Sequence, residues 1–365
     1  MHKTSAAPLA LSYAALVVFA TLFPFTGWRL QGVDPWVFLL APLPPPYWTR
    51  FDVSANLIGY GPLGFLTALA LLRSGRGRWA VPVAALAGAL LSLGLEFLQI
   101  YLPRRVPSNL DLLLNASGAL LGALAAALLE RLGVLVRWSH FRARWFVPEA
   151  RGALVLLALW PMALLFPAAL PLGLGQVVLR LEGALADWLT GTPYLAWLPT
   201  RTAPLVPLSQ GSEALCVALG LWIPCLLAYG VMPSRRRRAC LALLLALLGT
   251  AATALSSALS WGPIHAWEGF GLAVRVGWVG GLLLALATVA LPRRACAALL
   301  LVVLVWHLAL LNQAPTSAYF AQTLQAWEQG RFIRFYGLGQ WLGWLWPYAA
   351  LLYGLLRLSG REGQN

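Results

Sequence analysis

The stretch Trp79-Ala-Val-Pro-Val-Ala-Ala-Leu-Ala-Gly-Ala-Leu-Leu-Ser-Leu-Gly-Leu-Glu96-Phe-Leu-Gln99-Ile-Tyr101 decides the fold class. It is apolar for about the twenty residues a helix needs to cross a hydrocarbon core, and Glu96 is its one ionised side chain. Lipid offers the backbone no hydrogen bonds, so spanning segments are helices or closed barrels, and a barrel strand would alternate rather than run on. Similar runs recur along all 365 residues, of which 60% are hydrophobic and only 10% charged. Average soluble domains carry about a quarter charged residues. The sequence therefore predicts an all-α polytopic transmembrane helix bundle of about ten helices, a multi-pass membrane protein. The spans expected are 8–25, 54–72, 79–101, 111–129, 152–170, 212–232, 239–259, 269–291, 295–311 and 336–358.

Basic residues between these runs set the orientation. With the N-terminus inside, inward segments carry seventeen: Lys3, Arg73, Arg76, Arg78, Arg131, Arg137, Arg142, Arg144, Arg151, Arg235 to Arg238, Arg293, Arg294, Arg357 and Arg361. Outward segments carry eight: Arg29, Arg50, Arg104, Arg105, Arg180, Arg201, Arg331 and Arg334. The expectation is N-in and C-in. The net charge of +14 is spread over these short clusters, where it meets lipid headgroups and does not imply nucleic acid. Twenty-five of the 26 basic residues are Arg, a bias that dilutes the meaning of any one arginine. The longest inward loop, 131–151, is read as a basic cytoplasmic boundary between a four-helix domain at 1–130 and a second domain of about six helices at 152–365. Pro- and Trp-rich outward stretches at 31–50, 172–210 and 312–335 have room for interfacial or re-entrant pieces.

Cys216, Cys225, Cys240 and Cys296 lie in or beside apolar runs without metal-ligand spacing and read as buried small hydrophobes. Residues 9–25 could pass for the apolar region of a signal peptide, but Phe-Pro-Phe-Thr-Gly-Trp follows instead of a small-residue cleavage site, which favours a retained first span.

Ionisable residues at a membrane edge are costly enough to be candidate functional groups. Asp52, Glu96 and Asp111 fall at the ends of three adjacent spans, all on the outer side in this topology. Each has an amide one helical turn away, as Asp52 with Asn56, Glu96 with Gln99, and Asp111 with Asn115. Between the last two pairs lie Arg104 and Arg105, whose guanidinium groups suit phosphate or carboxylate. These eight residues make a candidate polar pocket. A structural explanation competes: Ser108 and Asp111 have capping-box spacing, and acids at helix N-termini are favoured by the dipole, which would account for Asp52 and Asp111. Glu96, near a helix C-terminus, resists that explanation. Gly118 and Gly122, with Gly88 and Gly94, allow close packing of these helices.

The run Asn56-Leu-Ile-Gly-Tyr-Gly-Pro62-Leu63-Gly64-Phe65, then Glu96-Phe-Leu-Gln99, Arg104 and Asp111-Leu-Leu-Leu-Asn115-Ala-Ser-Gly118, resembles the VanZ-like family of bacterial membrane proteins over residues 51 to about 122. The opening Leu-Phe-Pro-Phe-Thr-Gly-Trp-Arg and closing Phe335-Tyr-Gly-Leu-Gly-Gln-Trp resemble longer members. The resemblance implies a role at the cell envelope, in the bacterial cytoplasmic membrane, since the founding member is associated with low-level teicoplanin resistance. Founding members are short, so the appended second half makes antibiotic resistance itself a property not to be transferred.

Phosphate-binding Gly-rich loops ending in Lys, Gly-x-Ser-x-Gly elbows and Ser-x-x-Lys motifs are absent from the sequence. His265 and Glu268 form a short His-x-x-Glu that reads as a solvated loop pair, and no cofactor or metal site is expected. Two functions stay open. The first is a binder of an anionic envelope lipid or a glycopeptide-like cell-wall precursor, held by Arg104 and Arg105 with Asp52, Glu96 and Asp111 shaping the pocket. The second is a membrane enzyme acting on a phospholipid or polyprenyl-phosphate, with Glu96 or Asp111 as base, or the three carboxylates holding a divalent cation. A transporter is a third, disfavoured by acids near one face rather than at mid-depth.

Overall fold

In the computed structural model, the described residues are 6–22, 25, 27–32, 34, 36–45, 48–103, 105–198, 205–315 and 333–359. They form twelve α-helices and no strand: α1 (Ala6–Leu22), α2 (Arg50–Arg73), α3 (Ala80–Gln99), α4 (Asn109–Arg131), α5 (Val134–Trp145), α6 (Arg151–Ala163), α7 (Val178–Leu189), α8 (Gln210–Tyr229), α9 (Arg235–Trp261), α10 (Leu272–Ala287), α11 (Arg293–Leu311) and α12 (Ile333–Ser359). Six of them, α2, α3, α4, α8, α9 and α11, are long and apolar enough to cross a membrane. Each of the ten predicted spans coincides with a helix, and the chain is a multi-pass helical membrane protein. Lys3, Arg104, Arg201, Arg331, Arg361 and most of the stretch 312–335 lie outside the described residues.

Three expectations need correction. The stretch 131–151 is mostly helical, because Val134–Trp145 winds into α5 with its arginines spread around the turns. The span expected at 152–170 stops at Ala163, since Pro161 sits in the last turn of α6 and Pro167 and Pro171 follow. Proline lacks an amide and pushes its preceding residue out of the helical region. Cys216, Cys225 and Cys296 are buried, but Cys240 is exposed on α9.

The chain divides into two compact units, Met1–Arg142 and Ala143–Asn365. In the first, α2 packs chiefly on α4, and α3 on both. A Cβ on Gly118 would lie 2.1 Å from the Leu57 carbonyl oxygen, one on Gly122 1.9 Å from that of Gly61, and one on Gly64 1.9 Å from that of Ala119. Only hydrogen side chains allow such backbone-to-backbone approach, the small-residue packing of membrane helices. The pairs 57 with 118 and 61 with 122 advance together, so α2 and α4 run parallel. Gly88 of α3 meets Ala119 in the same way, whereas Gly94 faces open space. Because Ser92 meets Asn115 while Gly88 meets Ala119, α3 is antiparallel to α4. The N-termini of α2 and α4 and the C-terminus of α3 therefore share one end of the unit.

In the second unit, α8 is the central helix, packed against α6, α9, α10 and α11. Val217, Leu219, Leu221, Leu226, Leu227 and Tyr229 of α8 are all fully buried. After α6 the chain runs without regular structure from 164 to 177, and much of it is buried. Leu172 takes a left-handed φ of 61° and Gly175 one of 96°. Non-helical backbone among membrane helices is tolerated only where protein groups satisfy it. Here Ser256 Oγ donates to the Leu165 carbonyl at 2.8 Å, the Gly175 amide donates to the Gly343 carbonyl at 2.8 Å, and Asn312 Nδ2 donates to the Gly175 carbonyl at 3.3 Å. Arg238, also buried, donates to the carbonyls of Met232, Val289 and Leu291 and ties the loops at the opposite end.

Candidate functional site

The shared end of α2, α3 and α4 is built from two helix starts and one helix finish. At the start of α2, Thr49 is the N-cap: its hydroxyl accepts from the Asp52 amide at 3.1 Å, and Asp52 Oδ2 accepts from the Thr49 amide at 3.1 Å. This reciprocal capping box satisfies two amides that a helix N-terminus otherwise leaves open. Asp52 thus serves its own helix. Asn56, one turn on, is half-buried.

At the start of α4 the same device is split between two helices. Ser108 is the N-cap, and its hydroxyl accepts from the Asp111 amide at 3.4 Å. The Ser108 amide, however, donates to Glu96 Oε2 at 2.9 Å, so the carboxylate that completes the cap comes from α3. Glu96 is only 3% exposed. Its charge lies at the unfavourable end of the α3 dipole, but the positive N-terminus of α4 faces it and offsets that cost. A residue that resisted a capping explanation on sequence grounds is therefore a cap for a neighbouring helix.

Ser92, Glu96 and Gln99 follow at i, i+4 and i+7 on the buried face of α3. Asn115 of α4 donates from Nδ2 to Ser92 Oγ at 2.9 Å. Its Oδ1 is buried and has no hydrogen-bond partner among the described residues. Tyr60 of α2 lies against Ser92, within range of the Glu96 charge. One polar layer thus joins all three helices. Tyr60 and Ser92 were absent from the sequence-based set, although Ser92 stands one turn before Glu96 and Tyr60 one turn after Asn56.

Of the eight sequence-predicted residues, Glu96, Gln99 and Asn115 are buried in this layer, and Asp111 is half-buried at the start of α4. Arg105 is half-buried in the loop from 100 to 108, its amide donating to the Leu102 carbonyl at 2.9 Å. Arg104 lies outside the described residues. Among the described residues no three His, Cys, Asp or Glu side chains converge on a point that could hold a metal ion, so Asp52, Glu96 and Asp111 do not form one cation cage. His265 and Glu268 pair at 2.7 Å in a partly exposed loop of the second unit.

Residues 5–130 match the family described as VanZ/LLP1, and this N-terminal segment is a VanZ-like domain. No curated protein and no solved structure matches the chain.

Proposed function

We propose that the VanZ-like domain of this multi-pass membrane protein binds an anionic envelope lipid or glycopeptide-like ligand at the Glu96 end of α2, α3 and α4, in the bacterial cytoplasmic membrane with that end outward. The observation that carries the reading is the 2.9 Å bond from the Ser108 amide to the buried Glu96. It anchors the loop bearing Arg104 and Arg105 to the polar layer, so the guanidinium groups stand over a fixed floor rather than on a free loop. An anchored loop loses less conformational freedom when it takes up an anion, which favours binding. Helix α4 adds its N-terminus, where anions are favoured. The carboxylates below leave room for only a compact anionic headgroup near the arginines and repel one that descends further.

The test uses protein reconstituted in bilayers containing spin-labelled phosphatidylglycerol or spin-labelled phosphatidylcholine. The expectation is a severalfold preference for the anionic label that an Arg104→Ala, Arg105→Ala double variant abolishes. An equal association of both labels with the wild-type protein overturns the reading. Conversion of the headgroup during incubation would replace binding with catalysis as the function of the same end.

A further inference from the structure

The second unit holds a cavity of about 430 Å³, walled by the irregular stretch after α6 and by the Trp261 end of α9. That volume lies within the range of small-molecule sites, roughly 300–1,000 Å³. Phe166 and Leu172 give it an apolar wall, Thr253 and Ser257 present hydroxyls, and the His265–Glu268 pair borders it. Glu268 is 69% exposed, which sets this charged pair on the solvent side of the cavity.

Thr253 is the group the fold leaves unexplained. Its neighbours on α9 satisfy their hydroxyls within the protein: Thr250 donates to the Ala246 carbonyl, Ser260 to that of Ser256, and Ser256 to that of Leu165. Thr253 Oγ1 is buried and has no hydrogen-bond partner among the described residues. It stands two turns below Trp261, about 12 Å along the helix axis. A buried hydroxyl without a partner at that depth is costly, and a ligand head that donates to it removes the cost.

We propose that this cavity binds a single-chain amphiphile with an alcohol or primary amine head. The apolar wall takes the chain, and the head donates to Thr253. The lining contains one carboxylate and neither Lys nor Arg, so an anionic head finds no cationic partner except His265, which Glu268 already engages. The selectivity is thus opposite in sign to that proposed for the VanZ-like domain, and it rests on different residues.

The test is photolabelling in zwitterionic nanodiscs with three diazirine probes of one chain length, bearing an alcohol, a primary amine or a carboxylic acid. The alcohol and amine probes are expected to label peptides covering 164–172 and 253–261 at least fivefold more than the acid. Thr253→Val keeps the shape but removes the hydroxyl. It is expected to hold or raise the melting temperature while lowering alcohol and amine labelling severalfold. Ser257→Phe, which fills the cavity, is expected to abolish labelling there. Equal labelling by the three probes overturns the proposal, as does unchanged labelling in Thr253→Val. A lower melting temperature in Thr253→Val would assign the hydroxyl to the fold and also overturn it. Should Ser257→Phe fail to fold, Thr253→Val decides alone.

Discussion

The two units solve the same problem, holding apolar helices together where the surroundings are equally apolar, in different ways. In the apolar windows of α2, α3 and α4 only 22–28% of residues are buried, whereas in α8 the share is 67%. The first unit gains its contacts by bringing backbones together at glycines, with little side-chain volume between them. The second surrounds one helix with large side chains and fastens irregular backbone with side-chain donors. Dispersion, which falls steeply with distance, drives both, but the first concentrates it in a few atoms and the second spreads it over many. The first should therefore fail sharply at single positions, and the second in smaller steps.

The largest expected effect follows from that contrast. Gly118→Leu places its Cβ where the Leu57 carbonyl oxygen already stands, 2.1 Å away, and the parallel helices must separate along their length. Overpacking typically costs about 1–3 kcal/mol, and a clash with backbone belongs at or beyond the upper end. The folded yield after detergent extraction should fall at least tenfold. Gly94→Leu, which meets nothing within 4 Å, should leave yield and melting temperature near wild type. Equal tolerance of both variants would break the account of how the first unit packs.

Arg238 offers the matching test in the second unit. Its side chain is 4% exposed and donates to three carbonyls from two loops. Arg238→Ala leaves those oxygens without their donor, a loss of about 3 kcal/mol at the charged end of hydrogen-bond estimates. Arg238→Lys should recover less than half of the lost melting temperature, because an ammonium cannot reproduce the guanidinium fork. Full rescue by Lys would mean that charge, and not geometry, fastens these loops.

The two units also differ in how much of them the sequence discloses. In the first, span length fixes depth, so the acids of α2, α3 and α4 could be placed at one end from sequence alone. Thr49 and Ser108, three residues before Asp52 and Asp111, announce helix starts. What stayed hidden was the partner of Glu96, because a cap supplied by another helix has no sequence spacing to reveal it. Ser92 was hidden for a related reason: a serine in an apolar helix looks the same whether it faces lipid or, as here, an asparagine 23 residues away. In the second unit the stretch 164–177 is as apolar as a span, and hydropathy cannot separate a helix from buried irregular backbone. The prolines at 167 and 171 were the available signal. His307, which contacts the Cys216 carbonyl at 3.1 Å inside the unit, likewise has no neighbour in sequence that predicts its partner.

A smaller effect is expected at the start of α2. Asp52→Ala removes one half of the capping box while leaving the Thr49 hydroxyl in place. Losing a whole cap costs about 0.5–2 kcal/mol, so half of one should cost about 0.5–1 kcal/mol, read as a shift of a few degrees in melting temperature. Lipid selectivity measured with the spin-labelled pair should be unchanged. A lost selectivity would place Asp52 in the ligand site as well as in the cap.

The smallest effect on stability, and the most informative about function, is expected for Glu96→Gln. The amide oxygen of glutamine can accept from the Ser108 amide as Glu96 Oε2 does, and shape and burial are nearly preserved. What disappears is the charge, and with it the charge–dipole attraction at the start of α4, about 0.3–1 kcal/mol and at most about 2 in a partly buried setting. The relief of desolvating a carboxylate acts in the opposite direction, so the net change should stay below about 1 kcal/mol. If Glu96 serves only as a cap, lipid selectivity survives in a protein of near wild-type melting temperature. If it holds the arginine loop in a charge-dependent posture, selectivity falls severalfold with no matching loss of stability. Glu96→Ala separates the two further, because it strands the Ser108 amide, should cost about 1–3 kcal/mol, and must lower stability under either account. Retained selectivity in Glu96→Gln together with a destabilised Glu96→Ala would make the polar layer a device of folding, and the anion site would then have to rest on the arginines alone.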